Sequence, residues 1–427
     1  MNRIHDKFET LIRTGFFHIF GSSVMNKIIA FLSSIVLVRI LSKEEYGVFT
    51  YAWNIYSIIL LFNGMGLDSG MLQLASEKSG NESYAKKISN FSARFGLLFD
   101  LLLMVFILSL ALFAPLKIEK ARGTLGMLCL LPFFQFLFQM TISYLRAEKK
   151  NKEYASVSII NTTLIFLISV GAAVFFREKG LVIGYYMAYL SSFVVAIVVY
   201  GVHLFNESAP IEKMQKNILL KISFISMLNT GLSQLMYLLD VFVLGMVDPQ
   251  ERILASYKVA TMLPTALAFI PISLVTYVYP YFAEHMKDGK WCLAKYRQVV
   301  KIMAIFNGCI SITLCFLAPI VINVLFGTEY LDAVPVFRLL SINYFFSGTF
   351  RILSGNLLVT QRKLKFNLFV AIVSSLTNII ADYFFIQWWG SIGAAAATML
   401  VVIVSSTLST TYLIYVFKKG DNNTIHV

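Results

Sequence analysis

Seven ionisable side chains lie inside long apolar stretches: Lys27, Arg39, Asp68, Asp100, Asp240, Arg351 and Asp382. A charge at mid-membrane costs at least about 2.5–3.5 kcal/mol on insertion scales, so such residues face a cavity or a partner rather than lipid. Two chemistries suit them. Lys27 and Arg351 in a water-filled cavity would neutralise an anion, the arginine bidentately. Lys27 falls about 18 Å into its span at 1.5 Å per residue. Asn26 precedes it in the chain. Asp240, in "LMYLLDVFVLG", and Asp382, in "NIIADYFF", suit uptake of a proton or Na⁺ that couples movement to an ion gradient; the plainer reading is that they pair with a nearby cation. Asp68, in "GMGLDSG", belongs to the same candidate cavity or caps a break between two glycines, and Asp100 sits in "LLFDLLL". Arg39 and Glu45 read as an outer gate or a loop pair.

The elements that hold these residues follow from composition. The chain has 427 residues, of which 58% are hydrophobic and 14% charged, with a mean hydropathy of +0.73. Soluble chains carry roughly 25% charge. So much apolar surface needs lipid as its solvent. Stretches of about 20 apolar residues, enough to cross a hydrocarbon core as a helix, recur along the whole length. Strict alternation is absent, which argues against a β-barrel. The pattern predicts an all-α polytopic membrane protein with twelve spans, at 15–39, 46–74, 91–114, 123–145, 154–176, 181–204, 218–247, 254–283, 298–325, 335–360, 366–388 and 391–417. Pro264, Pro271 and Pro280 recur in the eighth and would kink it, which suits a gate helix.

The net charge of +13 does not signal nucleic acid, because the basic residues sit in short loops, the pattern of topology signals and anionic-lipid contact. With the N-terminus inside, 24 of the 36 Lys and Arg lie in cytoplasmic segments and 10 on the other side, and Lys27 and Arg351 lie within spans. Both termini are therefore expected in the cytoplasm. The segment ahead of Lys27 reads as an amphipathic lead-in rather than a cleaved signal. The four cysteines read as small buried hydrophobes, and the five histidines show no ligand spacing, so no metal site or cofactor is expected.

The halves repeat. Shifted by close to half the chain, "RTGFFHIF" meets "LLKISFIS", "SKEEYGVF" meets "DPQERILASY", "SYLRAEKKNKEY" meets "LLVTQRKLKFN", and "GLVIGYYMAY" meets "GSIGAAAATM". Asn229 then stands opposite the Asn26–Lys27 pair and joins the candidate cavity. Six spans per half give two parallel lobes, a plan in which transporters bind substrate between rocking halves. The expected division is 1–204 for the first lobe, 205–217 for a cytoplasmic linker, 218–417 for the second lobe and 418–427 for a tail.

The opening "RTGFFHIFGSSVMNKIIAFLSSIVLVRILSKEEYGVFTYAWNIYSIILLFNGMGLDSGMLQLASE" resembles that of the polysaccharide flippases, the Wzx-type O-antigen transporters of the multidrug/oligosaccharidyl-lipid/polysaccharide exporter superfamily. The matching turn is Arg39–Leu41–Ser42–Glu45–Tyr46–Gly47, followed by Gly66–Leu67. The likeness runs through the "AEKK" and "TQRK" loops. Where relatives commonly carry an arginine late in the second span, this chain has Gln73. The resemblance implies a MATE-like fold and movement of O-antigen repeat units on undecaprenyl diphosphate from the cytoplasmic to the periplasmic leaflet of a bacterial inner membrane. It makes the diphosphate the anion for Lys27 and Arg351. Partners would be that lipid-linked oligosaccharide, membrane lipids and the polysaccharide polymerase and chain-length machinery. A drug exporter of the same superfamily is the second reading. A membrane enzyme is disfavoured, because the polar loops are short and lack DxD.

Overall fold

The computed structural model describes residues 16–77, 81–205 and 211–422, with the side chains of 16–20, 229, 232, 233, 236, 237 and 420–422 outside the described set. The candidate Asn229 is among those side chains. Among the described residues every regular element is helical. The α-helices are α1 (Phe16–Ile40), α2 (Lys43–Leu60), α3 (Leu67–Glu77), α4 (Glu82–Phe113), α5 (Ala121–Met127), α6 (Leu131–Ala147), α7 (Asn151–Val198), α8 (Lys213–Val247), α9 (Glu251–Ala266), α10 (Phe269–Glu284), α11 (Gly289–Phe326), α12 (Val334–Phe346), α13 (Ile352–Thr360) and α14 (Leu364–Asn422). Seven described helical stretches are long and apolar enough to span a bilayer, and the bent pair α5–α6 makes an eighth. The chain is a multi-pass membrane protein.

The breaks between helices have local causes. Ser42 starts α2 with a capping box: its hydroxyl accepts from the Glu45 N–H at 3.3 Å, and the Glu45 carboxylate accepts from the Ser42 N–H at 2.8 Å. The second expected span is interrupted at Asn63–Gly66, where Gly64, Met65 and Gly66 all have positive φ. Only glycine enters that region without penalty. At Gly64 a side chain would also strike the Phe136 ring. The eighth expected span separates into α9 and α10 at Leu267–Ala268, between Pro264 and Pro271. Proline removes an N–H from the ladder and clashes with the preceding turn, so the break falls where the sequence places the prolines.

Helix α7 has 48 residues, about 72 Å at 1.5 Å per residue, more than twice a hydrocarbon core. It is broken at Arg177 (φ 54°, ψ −136°), and the 59-residue α14 is broken the same way at Gly390 (φ 55°, ψ −130°). The offset between these two positions recurs between Lys149 (φ 58°) and Arg362 (φ 56°), where α6 and α13 end. The Lys150 N–H reaches Leu145 O and the Lys149 N–H reaches Arg146 O; at the equivalent place in the second half, the Lys363 N–H reaches Leu358 O and the Arg362 N–H reaches Val359 O, all at 2.9–3.0 Å. Both ends are the same two-bond helix stop. Gly180 and Gly393, separated by the same offset, each lie so close to the preceding helix that a Cβ would meet the Ala172 and Phe385 carbonyls respectively.

Two compact units result, Met1–Leu235 and Met236–Val427, with the boundary inside α8. In the first, α1 and α6 pack on α7, and α3 and α4 pack on α6. In the second, α12 packs between α11 and α14, and α10 packs on α13. Its core gathers Phe282, Tyr296, Leu353, Leu357 and Phe417. Cys292 is buried as expected, but Cys309 is exposed, on an α11 face shared with Ile305 and Ile312. An apolar residue on a lipid-facing stripe needs no burial.

Candidate functional site: a polar cavity in the second unit

The second unit carries a cluster of buried oxygens. Asp240, on α8, accepts three hydrogen bonds. The Tyr257 hydroxyl on α9 donates to Oδ2 at 2.9 Å, Thr398 Oγ1 on α14 donates to the same oxygen at 2.5 Å, and Asn378 Nδ2 on α14 donates to Oδ1 at 3.2 Å. Asp382, one turn beyond Asn378, is fully buried with its carboxyl against that of Asp240. Among the described residues no donor meets hydrogen-bond geometry at either Asp382 oxygen or at Asn378 Oδ1, although the Asn378 amide lies close enough to act on the Asp382 carboxyl. Two facing carboxyls repel unless a proton or a cation stands between them. The unpaired atoms are all oxygens, the donor set of a hard cation. The sequence pairs Asp240 and Asp382 only as candidates of one kind; the fold brings them into contact.

Asp240 and Thr398 also line a cavity of about 490 Å³ within this unit. The same cavity is lined by Lys258, Thr261 and Thr265 on α9 and by Arg351 at the end of a π-helical turn, Ser347–Arg351. Such wide turns are rare and concentrate at functional sites. This one is held from α11: Asn307 Nδ2 donates to Thr349 Oγ1 at 3.3 Å, and the Tyr344 hydroxyl donates to Asn307 Oδ1 at 2.9 Å. Pro264 lines the same cavity, while Pro271 is buried two residues into α10. One cavity thus holds two cationic side chains, three threonine side chains and the edge of a carboxyl pair. It carries the groups to receive an anion, at Lys258 and Arg351, and a small cation, at Asp240.

Lys258 escapes the sequence reading because a lysine near the start of a span counts there as a loop residue. The helix begins at Glu251, which carries Lys258 two turns in. Tyr257, Asn378 and Thr398 carry no signal either, since neutral polar residues are common in spans. Only the charges of Asp240, Asp382 and Arg351 mark the place.

The remaining candidates lie in the first unit. Lys27 is exposed on α1, and its neighbour Asn26 donates to Ser158 Oγ at 2.7 Å. Asp68 opens α3 and accepts from Ser69 Oγ at 3.3 Å. Asp100 is fully buried, and its Oδ1 accepts the Gly64 N–H at 2.7 Å, which pins the left-handed break. Capping the break therefore falls to Asp100, from the next span, rather than to Asp68. Arg39 is exposed. Glu45 pairs with Arg177, whose guanidinium reaches both carboxylate oxygens at 2.9 and 2.7 Å and the Ile40 carbonyl at 3.0 Å.

Residues 36–335 match the sequence model of a family described as polysaccharide biosynthesis protein. An uncharacterized membrane protein of Methanocaldococcus jannaschii is 19% identical over 391 residues, covering 86% of this chain and 76% of its own length. Among solved structures, the lipid II flippase MurJ in an inward closed conformation superposes with a TM-score of 0.70 at 18% identity, over 95% of this chain and 90% of that one. An inward-facing multidrug resistance transporter of the MATE family superposes at 0.75 with 13% identity, over 92% and 96%. The fold is the one these transporters share.

Proposed function

The chain belongs to the polysaccharide biosynthesis protein family, and from that membership we propose that it is a flippase for lipid-linked oligosaccharide. Its substrate is an O-antigen or polysaccharide repeat unit on undecaprenyl diphosphate. Twelve spans with both termini cytoplasmic carry it across a bacterial inner membrane by alternating access, ahead of the polymerase and chain-length machinery. The observation that supports this reading is the placement of Lys258 and Arg351 in one polar cavity of a polysaccharide-family member. A diphosphate needs its charge neutralised away from bulk water, and an arginine fork beside a lysine ammonium does so. Lys27, exposed on α1, is a separate proposed anion contact within the first unit.

A coupling cation, H⁺ or Na⁺, fits Asp240 and Asp382. The three oxygens at Asp382 and Asn378 that no donor among the described residues meets in hydrogen-bond geometry are what such an ion would satisfy. Export of a small cationic compound is the second reading. It rests on Asp240 lining the cavity and on the fold shared with multidrug transporters. Lys258 and Arg351 oppose it by repulsion.

The test is a deletion strain with and without this chain on a plasmid, scored for surface polysaccharide, for undecaprenyl-linked repeat units and for sensitivity to cationic drugs. Lost surface polymer with lipid-linked units accumulating inside is the expected result. Normal polymer with altered drug sensitivity alone would replace the flippase by the exporter.

A further inference from the structure

We propose that Tyr257 is a positioning residue that couples the cation site to the anion-binding wall of the same cavity. The proposal rests on the reading of Lys258 and Arg351 as diphosphate ligands. Tyr257 and Lys258 are consecutive residues of α9, and they face different chemistry. The Tyr257 hydroxyl, on a ring only 1% exposed, donates to Asp240 Oδ2. Lys258, half-buried, lines the cavity with Arg351. Among the described residues Lys258 forms no ion pair, so its ammonium is available to an anion.

A cation arriving at the carboxyl pair competes for Asp240 Oδ2. That oxygen already accepts from Tyr257 and Thr398. The tyrosine hydroxyl must then turn a lone pair to the ion or give up its bond. Its ring is enclosed and cannot adjust alone, so the shift passes to the backbone that carries Lys258. Helix α9 can pass on that shift as a short rod, packed on α12 and tied by Ser256, whose hydroxyl donates to Asp332 Oδ2 at 2.8 Å. It ends at Ala266, Pro264 interrupts its last turn, and Leu267–Ala268 separates it from α10. Thr398 bonds the same oxygen but sits on α14, which contributes no cationic side chain to the cavity. Tyr257 is thus the Asp240 donor whose own helix also carries an anion ligand. Occupancy of either site then changes the affinity of the other by the same factor.

The experiment uses the full chain purified in lipid nanodiscs. Inorganic diphosphate binding is measured by calorimetry at one fixed pH, in sodium chloride and in choline chloride of equal ionic strength. Sodium is expected to tighten diphosphate binding in the wild-type chain by about tenfold, within the usual range of coupling between sites. Tyr257→Phe should bring that ratio to about one, with diphosphate binding in choline still measurable. Thr398→Val should raise the sodium concentration required yet preserve the ratio at saturation, which a merely structural loss around Asp240 would not do. Lys258→Gln should also abolish the ratio, with weaker diphosphate binding left on Arg351. An unchanged ratio in Tyr257→Phe or in Lys258→Gln overturns the coupling proposal alone, as does a wild-type chain that binds diphosphate without regard to sodium. A wild-type chain that binds no diphosphate overturns the anion-site reading and this proposal with it.

Discussion

Arg351 and Asp100 show how much one side chain can set in a lipid-embedded protein. At Arg351 the guanidinium occupies the end of a π-helical turn on the cavity wall, where planar bidentate geometry matters as well as charge. Arg351→Ala is expected to abolish transport, and Arg351→Lys to retain a fraction of it, about a tenth, because a lysine supplies a point charge without the fork. Surface-polymer display at matched protein level measures both, and full display from the alanine variant removes Arg351 from the mechanism. At Asp100 the issue is stability. Its Oδ1 is the acceptor for a buried N–H in a left-handed break. Asp100→Leu leaves the Gly64 N–H without that acceptor, at about 1–3 kcal/mol, whereas Asp100→Asn keeps a carbonyl there. Thermal unfolding in detergent should rank wild type above Asn above Leu. Equal losses from both would show that the hydrogen bond is not what Asp100 contributes.

The helix ends carry a second kind of information. Arg177 and Gly390 adopt nearly the same dihedrals in the two halves, yet only the second is a glycine. An arginine in that region stores about 1–3 kcal/mol of backbone strain. What holds it is the bidentate pair with Glu45 and the bond to the Ile40 carbonyl. Arg177→Ala loses those bonds and keeps the strain, while Arg177→Gly loses the bonds and relieves it. Arg177→Gly should therefore unfold later than Arg177→Ala, by about 1–3 kcal/mol in thermal or denaturant scans. The opposite order would mean that the backbone there is unstrained. Both features trace back to the sequence with unequal clarity. The capping box at Ser42 and Glu45 has residue types that state its mechanism, though in the sequence the stretch stands out only as a turn. The break near Pro264 is legible. The Arg177 staple is not, since its partner Glu45 is remote in the chain. The π turn is not either, because Ser-Gly-Thr-Phe-Arg has no signature that separates it from an ordinary helix.

At the scale of the whole chain, hydropathy and loop charge made the repeat readable. The backbone then refined a loose shift, different for each matched segment, to one constant offset shared by Lys149/Arg362, Arg177/Gly390 and Gly180/Gly393. The candidate site was less readable. Charges inside spans pointed to Asp240, Asp382 and Arg351, but their neighbours are uncharged or, for Lys258, too near a span end to stand out. The repeat also makes a prediction about orientation. The two basic helix stops, "AEKK" and "TQRK", occupy equivalent positions in the halves. If each half holds six spans, both stops are expected on the same side of the membrane, and the excess of Lys and Arg makes the cytoplasm the expected side. Glu119 and Lys152 are both exposed, in loops expected on opposite sides. In intact cells Glu119→Cys should react with a membrane-impermeant maleimide, and Lys152→Cys should react only after permeabilisation. The parent chain, with its four native cysteines, sets the baseline. Labelling of Lys152→Cys from outside would invert the topology, place the basic loops on the far face and reverse the direction of transport. Labelling of both positions from outside would break the alternation between the third and fifth spans, and with it the parallel repeat.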